Sequence, residues 1–149
     1  GIFDRGFSNL VNNVVYANTN AGLRVEATHT AGTDRILHNT VYQVTGDAVL
    51  VRNSATNAFM QNNVLYVGAG NAIRVESDSL ASFQSDWNLF DLGSVGANVG
   101  NWNGVAQATI AAWRAATVSR DQNSAVGAAL FLDINGADNV FGEQGVGTG

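Results

Sequence analysis

The 149-residue sequence contains no cysteine, no proline and no lysine, and charged residues make up only 13% of it. Without cysteine the chain has no disulfide framework, no cysteine-ligated zinc finger and no thiol nucleophile. Its seven basic residues are all arginine and stand against 12 acidic residues, which gives a net charge of −5. This balance argues against nucleic-acid binding, which requires a basic surface to meet phosphate. No apolar run approaches the roughly 20 residues of a membrane-spanning helix.

Glycine and asparagine are abundant instead, with 17 and 18 residues respectively, and hydrophobic residues make up 46% of the chain. Both residue types favour tight turns. The valine, isoleucine, leucine and aromatic content is too high for a disordered segment, and the length suits one domain. The composition therefore predicts a turn-rich β protein.

A short motif recurs along the first 90 residues: asparagine, then two residues of which the second is apolar, then tyrosine. The copies begin at Asn13, Asn39 and Asn63, and a degraded fourth copy is Trp87-Asn88-Leu89-Phe90. In this alignment the aromatic residues are 26, 24 and 24 positions apart. A fixed period of this length is typical of a solenoid, in which each repeat forms one coil.

A second element keeps step with the first, over residues 23–26, 49–52 and 73–76, and always begins seven positions after the tyrosine. The two extra residues of the first repeat therefore fall within residues 27–34. Both elements alternate apolar and polar residues, as half-buried strands do. We expect one set of apolar side chains to point inward: Val15, Val41, Leu65, Leu23, Val49, Ile73, Val25, Val51 and Val75. Successive coils would stack as parallel strands about 4.8 Å apart.

These residues resemble the right-handed parallel β-helix repeat proteins of the pectate-lyase-like superfamily, over roughly residues 9–90. The C-terminal part resembles the tail of large secreted bacterial members, although it lacks the proline usually found before their last strand. The predicted fold is therefore an all-β, right-handed parallel β-helix (solenoid) of about 24-residue coils with a short C-terminal helix. Residues 1–90 would form the coils, and residues 91–149 a C-terminal extension packed on the same solenoid.

Within that extension we predict a helix over 109–116, with Thr109 as N-cap and with Ile110 and Trp113 on one face. A strand over 129–133 follows. The segment Asp133–Asp138 resembles a calcium loop in its oxygen spacing but lacks the closing bidentate glutamate, so a tight turn is the preferred interpretation.

Two neighbouring columns of polar residues are predicted at one corner of the coils. Asn13, Asn39 and Asn63 should stack as an asparagine ladder that satisfies buried turn groups. The adjacent column would hold Asn12, His38, Asn62 and Asp86. His38 and Asp86 lie two coils apart in this scheme, roughly 9–10 Å, which is too far for a direct hydrogen bond.

The aromatic residues Tyr16, Tyr42, Tyr66 and Phe90 should form a further column on the outside of the coils. Stacked rings stabilise a solenoid, and tyrosines on an open face could equally form a sugar-binding platform. We expect residues 91–128 to cover this column.

The outward positions of the second element supply the candidate binding site. It comprises Arg24, Arg52, Arg74, Glu26 and Glu76. Alternating charges on adjacent coils attract one another and are mostly a solvated charge ladder. The functional interpretation is that the arginines hold the carboxylates of an acidic polysaccharide through forked hydrogen bonds.

The sequence predicts no catalytic residue, no metal site and no cofactor. Glycoside hydrolysis needs paired carboxylates, and no inward-facing or clustered aspartate pair is evident in the repeats. The expected function is a structural or carbohydrate-contacting module without a complete active site. The alternative is a fragment of a polysaccharide lyase, glycoside hydrolase or epimerase acting on acidic polysaccharide.

The resemblance implies a secreted or cell-surface bacterial protein, with acidic polysaccharide as a partner and neither nucleic acid nor membrane. Residues 1–7 are short, apolar and strand-like, and we expect them to continue a coil rather than to cap one. The open end would then be covered by upstream β-helix chain or by self-association.

Overall fold

A computed structural model describes residues 1–27, 32–94 and 96–131 as a parallel β-solenoid of stacked coils, which confirms the predicted fold class. Three sheets run along it. The first sheet contains β1 (Ile2–Asp4), β4 (Ala21–Glu26), β7 (Asp47–Arg52), β10 (Asn71–Val75), β13 (Asn98–Trp102) and the antiparallel β14 (Val105–Gln107). The second contains β2 (Asn9–Val11), β5 (Arg35–Leu37), β8 (Phe59–Gln61) and β11 (Gln84–Asp86). The third contains β3 (Val14–Tyr16), β6 (Thr40–Thr45), β9 (Val64–Ala69), β12 (Leu89–Leu92) and β15 (Ala125–Val126).

The core fills the space enclosed by the three sheets. All nine side chains predicted to point inward are buried. They come from the first and third sheets, and the middle residues of the second-sheet strands, such as Ile36 and Met60, complete the interior. Because the strands pair in parallel with matched registers, each apolar residue stacks on its counterpart in the next coil.

The fourth coil is in a different register from the one that the sequence alignment predicts. Leu89 pairs with Val64 and Phe90 pairs with Leu65, so Asp91, and not Phe90, lies beside Tyr66. Phe90 is consequently buried in the core. The extra residue of this repeat lies between Glu76 and Gln84, where the chain forms a one-turn 3-10 helix at Ser77–Ser79. This is the corner that also holds the extra residues of the first repeat.

The register shift of the fourth coil also changes which of its residues belongs to the corner column that was predicted to contain Asp86. Asp86 pairs with Gln61 in the second sheet, so the prediction that it aligns with His38 is wrong. The four equivalent residues are Asn12, His38, Asn62 and Trp87, with φ of 58°, 55°, 56° and 57°. Asparagine tolerates this left-handed conformation best, which explains two of the four.

The asparagines that follow this corner are hydrogen-bonded from coil to coil. The Nδ2 of Asn13 donates to Oδ1 of Asn39 (2.9 Å), and that of Asn39 donates to Oδ1 of Asn63 (3.0 Å). The Nδ2 of Asn63 donates in turn to Oδ1 of Asn88 (3.0 Å). Each acceptor oxygen also receives the backbone N–H of the preceding asparagine, as Asn63 Oδ1 does from Asn39 (2.9 Å). Asn39, Asn63 and Asn88 are buried, so their amides satisfy one another where they cannot bond to water.

The C-terminal part turns back across the last coil. Helix α1 (Ile110–Thr117) begins at Thr109, whose side chain accepts a hydrogen bond from the Ala112 N–H (3.2 Å), as predicted. It packs on β13 and β14, with Trp113 fully buried. The predicted strand over 129–133 is not found in its described part, because Ala129–Phe131 is irregular and the strand at this level is β15. The segment Asp133–Asp138 lies outside the described residues.

Candidate functional site

Glu26 lies at the centre of the predicted arginine-rich surface and neutralises most of the positive charge of that surface. Its carboxylate accepts hydrogen bonds from the Nε atoms of Arg24 (2.7 Å) and Arg52 (2.8 Å), and Arg5 lies 3.9 Å away. Burial alone would raise the pKa of Glu26, but hydrogen bonds from Arg24 and Asn53 and the charges of the two arginines hold it below its ordinary value. Two of the three predicted binding arginines are therefore engaged with a buried carboxylate.

Contacts with an aromatic ring also hold Arg24 and Arg5 in place. The guanidinium carbon of Arg24 lies 4.6 Å from the centre of the Phe3 ring, and that of Arg5 lies 4.8 Å from it. A cation over a ring face is attracted by the ring quadrupole. Arg24 would have to leave both Glu26 and Phe3 to bind a ligand carboxylate.

Arg74 is held more loosely than Arg24 and Arg52. Its nearest acidic oxygens, on Glu76 and Asp47, are 3.4 Å and 3.9 Å away. Together with Glu76, Ser77, Asn103 and Gly104, it lines a pocket of 210 Å³. Of the five residues predicted for binding, Arg74 and Glu76 thus lie in a concave site, whereas Arg24, Arg52 and Glu26 form a closed charge network.

A larger concave surface lies on the second sheet, where the sequence pattern predicted no site. Its first part has a volume of 330 Å³. The lining residues are Thr33, Arg35, Asn57, Phe59, Ser82 and Gln84. Arg35, Phe59 and Gln84 occupy one register position on three consecutive coils, β5, β8 and β11. Within the described part of the chain, Arg35 forms no salt bridge.

The second part, of 400 Å³, continues from the first because Phe59 and Gln84 line both. Gln61, Asp86 and Arg120 also contribute to it. Arg120 donates a hydrogen bond from Nε to the carbonyl of Phe83, and its guanidinium carbon lies 5.0 Å from the centre of the Trp102 ring. These two contacts hold the Arg120 side chain in place along one side of this concave surface. We call these two parts together the second-sheet groove.

Asp86 is the acidic group of the second-sheet groove. It accepts hydrogen bonds from the backbone N–H and the Nδ2 of Asn123, both at 2.8 Å. Burial alone would raise the pKa of Asp86, but the bonds from Asn123 and from the Trp87 N–H keep it below its ordinary value. The groove therefore presents Arg35, which has no carboxylate partner among the described residues, the hydrogen-bonded carboxylate of Asp86, an aromatic ring and several amides and hydroxyls.

The sequence contained a signal for this groove. In each of the three strands β5, β8 and β11 the middle residue is buried, so the first and third residues face outward. Aligning those outward positions across coils would have placed Arg35, Phe59 and Gln84 together. The strands are only three residues long, too short for alternation to be recognised before the register is known.

The tyrosine column is covered only in part, and mainly by Phe131, which lies outside the segment 91–128 that was expected to cover it. Tyr16 remains 40% exposed. Tyr42 and Tyr66 stack with ring centres 4.2 Å apart, and Phe131 meets both edge-on at 5.6 Å and 6.4 Å. Burial, followed by the Tyr66 hydroxyl, raises the pKa of Tyr42. Gly93 also lies so close to Tyr66 that a side chain there would meet its hydroxyl at 2.2 Å. Tyr42 and Tyr66 are therefore a packed interface rather than an open sugar platform.

Two aspartates contradict the expectation that no inward-facing pair exists. Asp4 and Asp34 are both buried, at 7% and 1% exposure, and their carboxyl groups lie close enough to hydrogen-bond. They do not open into the second-sheet groove, since neither lines it. Among the described residues, no cluster of three or more histidine, aspartate or glutamate side chains is arranged to hold a metal ion.

No helix in the described part of the chain combines the length and apolarity that a membrane span requires. Comparison of the sequence with protein-family models and with curated proteins, and of the fold with solved structures, found no match. The candidate function is therefore argued from the second-sheet groove and from the pocket beside Arg74.

Proposed function

We propose that this chain is a structural β-solenoid module that contacts polysaccharide through the second-sheet groove. The observation that carries the proposal is the shared register of Arg35, Phe59 and Gln84 on three coils, in two adjoining concave surfaces of 330 and 400 Å³. A solenoid presents equivalent positions at a constant spacing of about 4.8 Å per coil. Such a surface suits an extended polymer better than a compact small molecule.

The chemistry of the groove favours a sugar ligand. The ring of Phe59 offers an apolar face, and the amides and hydroxyls around it donate and accept hydrogen bonds. Ligand sites commonly combine apolar surface with a few oriented polar groups in this way. Arg35, which has no acidic partner among the described residues, is placed to meet a carboxylate, so an acidic polysaccharide is the preferred ligand class.

This proposal keeps the predicted ligand class but moves the contact from the first sheet to the second. The reason is that Glu26 already satisfies Arg24 and Arg52. Membership of the pectate-lyase-like superfamily and a secreted or cell-surface location in a bacterium are part of the same proposal. They rest on the resemblance of the repeat and on the solenoid architecture.

The alternative function is that of a polysaccharide lyase, hydrolase or epimerase fragment. The pocket that holds Glu76 beside Arg74 is the observation that favours it, because a carboxylate and a cation share one concave site. Catalysis by a carboxylate pair would need a second acidic group in that pocket, and the lining residues include none.

Affinity electrophoresis in gels containing pectate, alginate or a neutral glucan tests the proposal. We expect pectate or alginate to retard the protein at low salt, and Arg35→Ala to remove most of that retardation. Because charge pairing with a polyanion weakens as salt screens it, retention should also fall with ionic strength. Equal retention in the neutral gel would contradict the assignment of an acidic ligand.

Arg74→Ala is the matched control, since it removes the same charge from the first sheet. If the second-sheet groove binds the polymer, this variant should be retarded like the unsubstituted protein. Loss of binding in Arg74→Ala with retention in Arg35→Ala would return the site to the first sheet. Release of reducing or unsaturated sugar ends during incubation would instead favour the enzyme alternative.

A further inference from the structure

Asp4 and Asp34 place two carboxyl groups in the interior at the first corner of the solenoid. Asp4 is the last residue of β1 and pairs in register with Val25, a core position of β4. Asp34 directly precedes β5 and is 99% buried, with 1% of its surface exposed. A charged carboxylate at such a position is costly unless nearby groups compensate the charge.

Only one oxygen of each carboxyl group has a hydrogen-bond donor among the described residues. Oδ1 of Asp4 accepts from the Gly6 N–H (3.0 Å) and the Ser8 hydroxyl (2.7 Å). Oδ1 of Asp34 accepts from the Ser8 N–H (3.3 Å). The Oδ2 atoms of both aspartates are buried and receive no such bond. Ser8 therefore bridges the two carboxyl groups on one side and leaves the other side without a donor.

Two acceptors that face one another can bond only if one of them carries a proton. The surroundings of the two carboxyl groups favour Asp34 as the residue that carries this proton. Burial raises its pKa to about 6, the charge of Asp4 and the hydrogen bond with Asp4 raise it as well, and the Ser8 N–H opposes them. Two carboxylates that share one site behave in this general way.

The other charged groups on the neighbouring elements are directed elsewhere. Arg5, which follows β1, lies near Glu26 of β4. Arg35 of β5 lines the second-sheet groove on the outer face. None of the three is among the groups that shift Asp34. The aspartate pair thus has no cation among the described residues to balance a second negative charge.

We propose that Asp4 and Asp34 share one proton and so form a pH-sensitive latch that fastens residues 1–8 to the second coil. The latch closes below neutral pH, where the Asp34 hydroxyl donates to Asp4. It loosens when Asp34 loses its proton, because two buried carboxylates then face each other. The Arg35 N–H donates to the Ser8 carbonyl (2.9 Å), so loosening also weakens the backbone contact between β5 and the start of β2.

The sign of the effect follows from the raised pKa. A carboxyl group that holds its proton more tightly in the folded chain gives stability that is complete below its unfolded pKa of about 3.9. That stability is lost as the pH rises through about 6. Ordinary surface carboxylates with lowered pKa values give the opposite trend.

Hydrogen exchange of the Gly6, Ser8 and Arg35 amides between pH 5 and pH 7 tests the latch, after correction for the intrinsic exchange rate. We expect their protection to fall about tenfold over this interval, since one pKa unit is a tenfold change in equilibrium. In Asp34→Asn, whose amide donates to Asp4 at every pH, protection should stay constant. Asp4→Asn is the second variant, in case the first does not fold.

Histidine also changes charge between pH 5 and 8, so the control replaces both histidines. His38→Asn suits the left-handed backbone there, because Asn12 and Asn62 occupy the equivalent positions. His29 lies outside the described residues and is changed to Gln in the same variant. The control should keep the full pH effect, and an effect that vanishes with the histidines would overturn the proposal.

Calcium tests whether two charged carboxylates face each other at pH 7. Protection of the three amides that is restored by Ca²⁺ at pH 7 would support the latch, because a divalent cation can bridge two carboxylates. An unchanged pH effect in Asp34→Asn would overturn the latch.

Discussion

The corner asparagines illustrate how single residues hold adjacent coils together. Asn39 is 1% exposed, and its side chain takes part in four hydrogen bonds that span three coils. Its Oδ1 accepts from the backbone and side chain of Asn13, and its Nδ2 donates to the Leu10 carbonyl (2.8 Å) and to Asn63. Leucine has a similar volume but can make none of these bonds.

We therefore expect Asn39→Leu to lower the free energy of unfolding by about 1–3 kcal/mol, the cost of leaving buried polar groups without partners. Urea denaturation followed by circular dichroism measures the change. Asn9→Leu is the matched control, since Asn9 is exposed on β2, and it should change stability by less than about 0.5 kcal/mol. Equal effects of the two substitutions would show that the buried amide network contributes little.

Helix α1 is the element that closes the last coil of the first sheet. Trp113 projects from it onto Gly100 of β13, where a β-carbon would come within 2.3 Å of the indole ring. The indole N–H donates to Oδ2 of Asp121 (2.7 Å), and Oδ1 of Asp121 accepts from Ser85, Asn88 and Ser124. One buried carboxylate thus links the helix to the second and third sheets.

Removing the indole should weaken the packing of helix α1 on the last coil. We expect Trp113→Ala to cost about 3–5 kcal/mol of unfolding free energy, as other buried aromatic truncations do. Intrinsic fluorescence during thermal unfolding measures it. Trp87→Asn is the control, because Trp87 is 54% exposed and has φ of 57°, a conformation that asparagine adopts more readily. It should leave the transition unchanged or raise it.

The two ends of the whole molecule differ. At one end α1 and the antiparallel β14 close the first sheet. At the other end β1, β2 and β3 are the outermost strands of their sheets, and Ile2–Asp4 of the segment 1–7 continues a coil. Val14, 72% exposed on β3, and Phe3, 48% exposed on β1, lie on these edges. Open strand edges with apolar side chains favour pairing with another chain.

Self-association through this end is therefore expected, and sedimentation velocity over a range of concentrations measures it. Val14→Lys should weaken the association, because a lysine on an edge strand opposes strand pairing. Val105→Lys places the same charge on β14 at the opposite end, where the native valine is 61% exposed, and it should have no effect. A protein that stays monomeric at every concentration would contradict this prediction.

The repeat predicted the solenoid, its inward apolar positions and the equivalent register positions of the first three asparagines, because these follow from local alternation and a constant period. The start of α1 could also be predicted from the sequence, because its N-cap is a local signal. The predicted register failed at the fourth coil. One extra residue near Ser77–Ser79 exchanges the places of Phe90 and Asp91, and spacing between aromatic residues alone does not detect it.

A parallel stack of coils can be predicted from the amino-acid sequence alone, because a single period of two elements leaves the chain little other way to bury its apolar residues. Which polar side chains lie together, in contrast, depends on how the coils pack in the folded protein. Glu26 meets Arg52 of the next coil, Phe59 meets Arg35 and Gln84 across strands, and Asp4 meets Asp34 at a corner. These contacts join residues 24 to 30 positions apart, so their formation depends on the exact length of every turn between them.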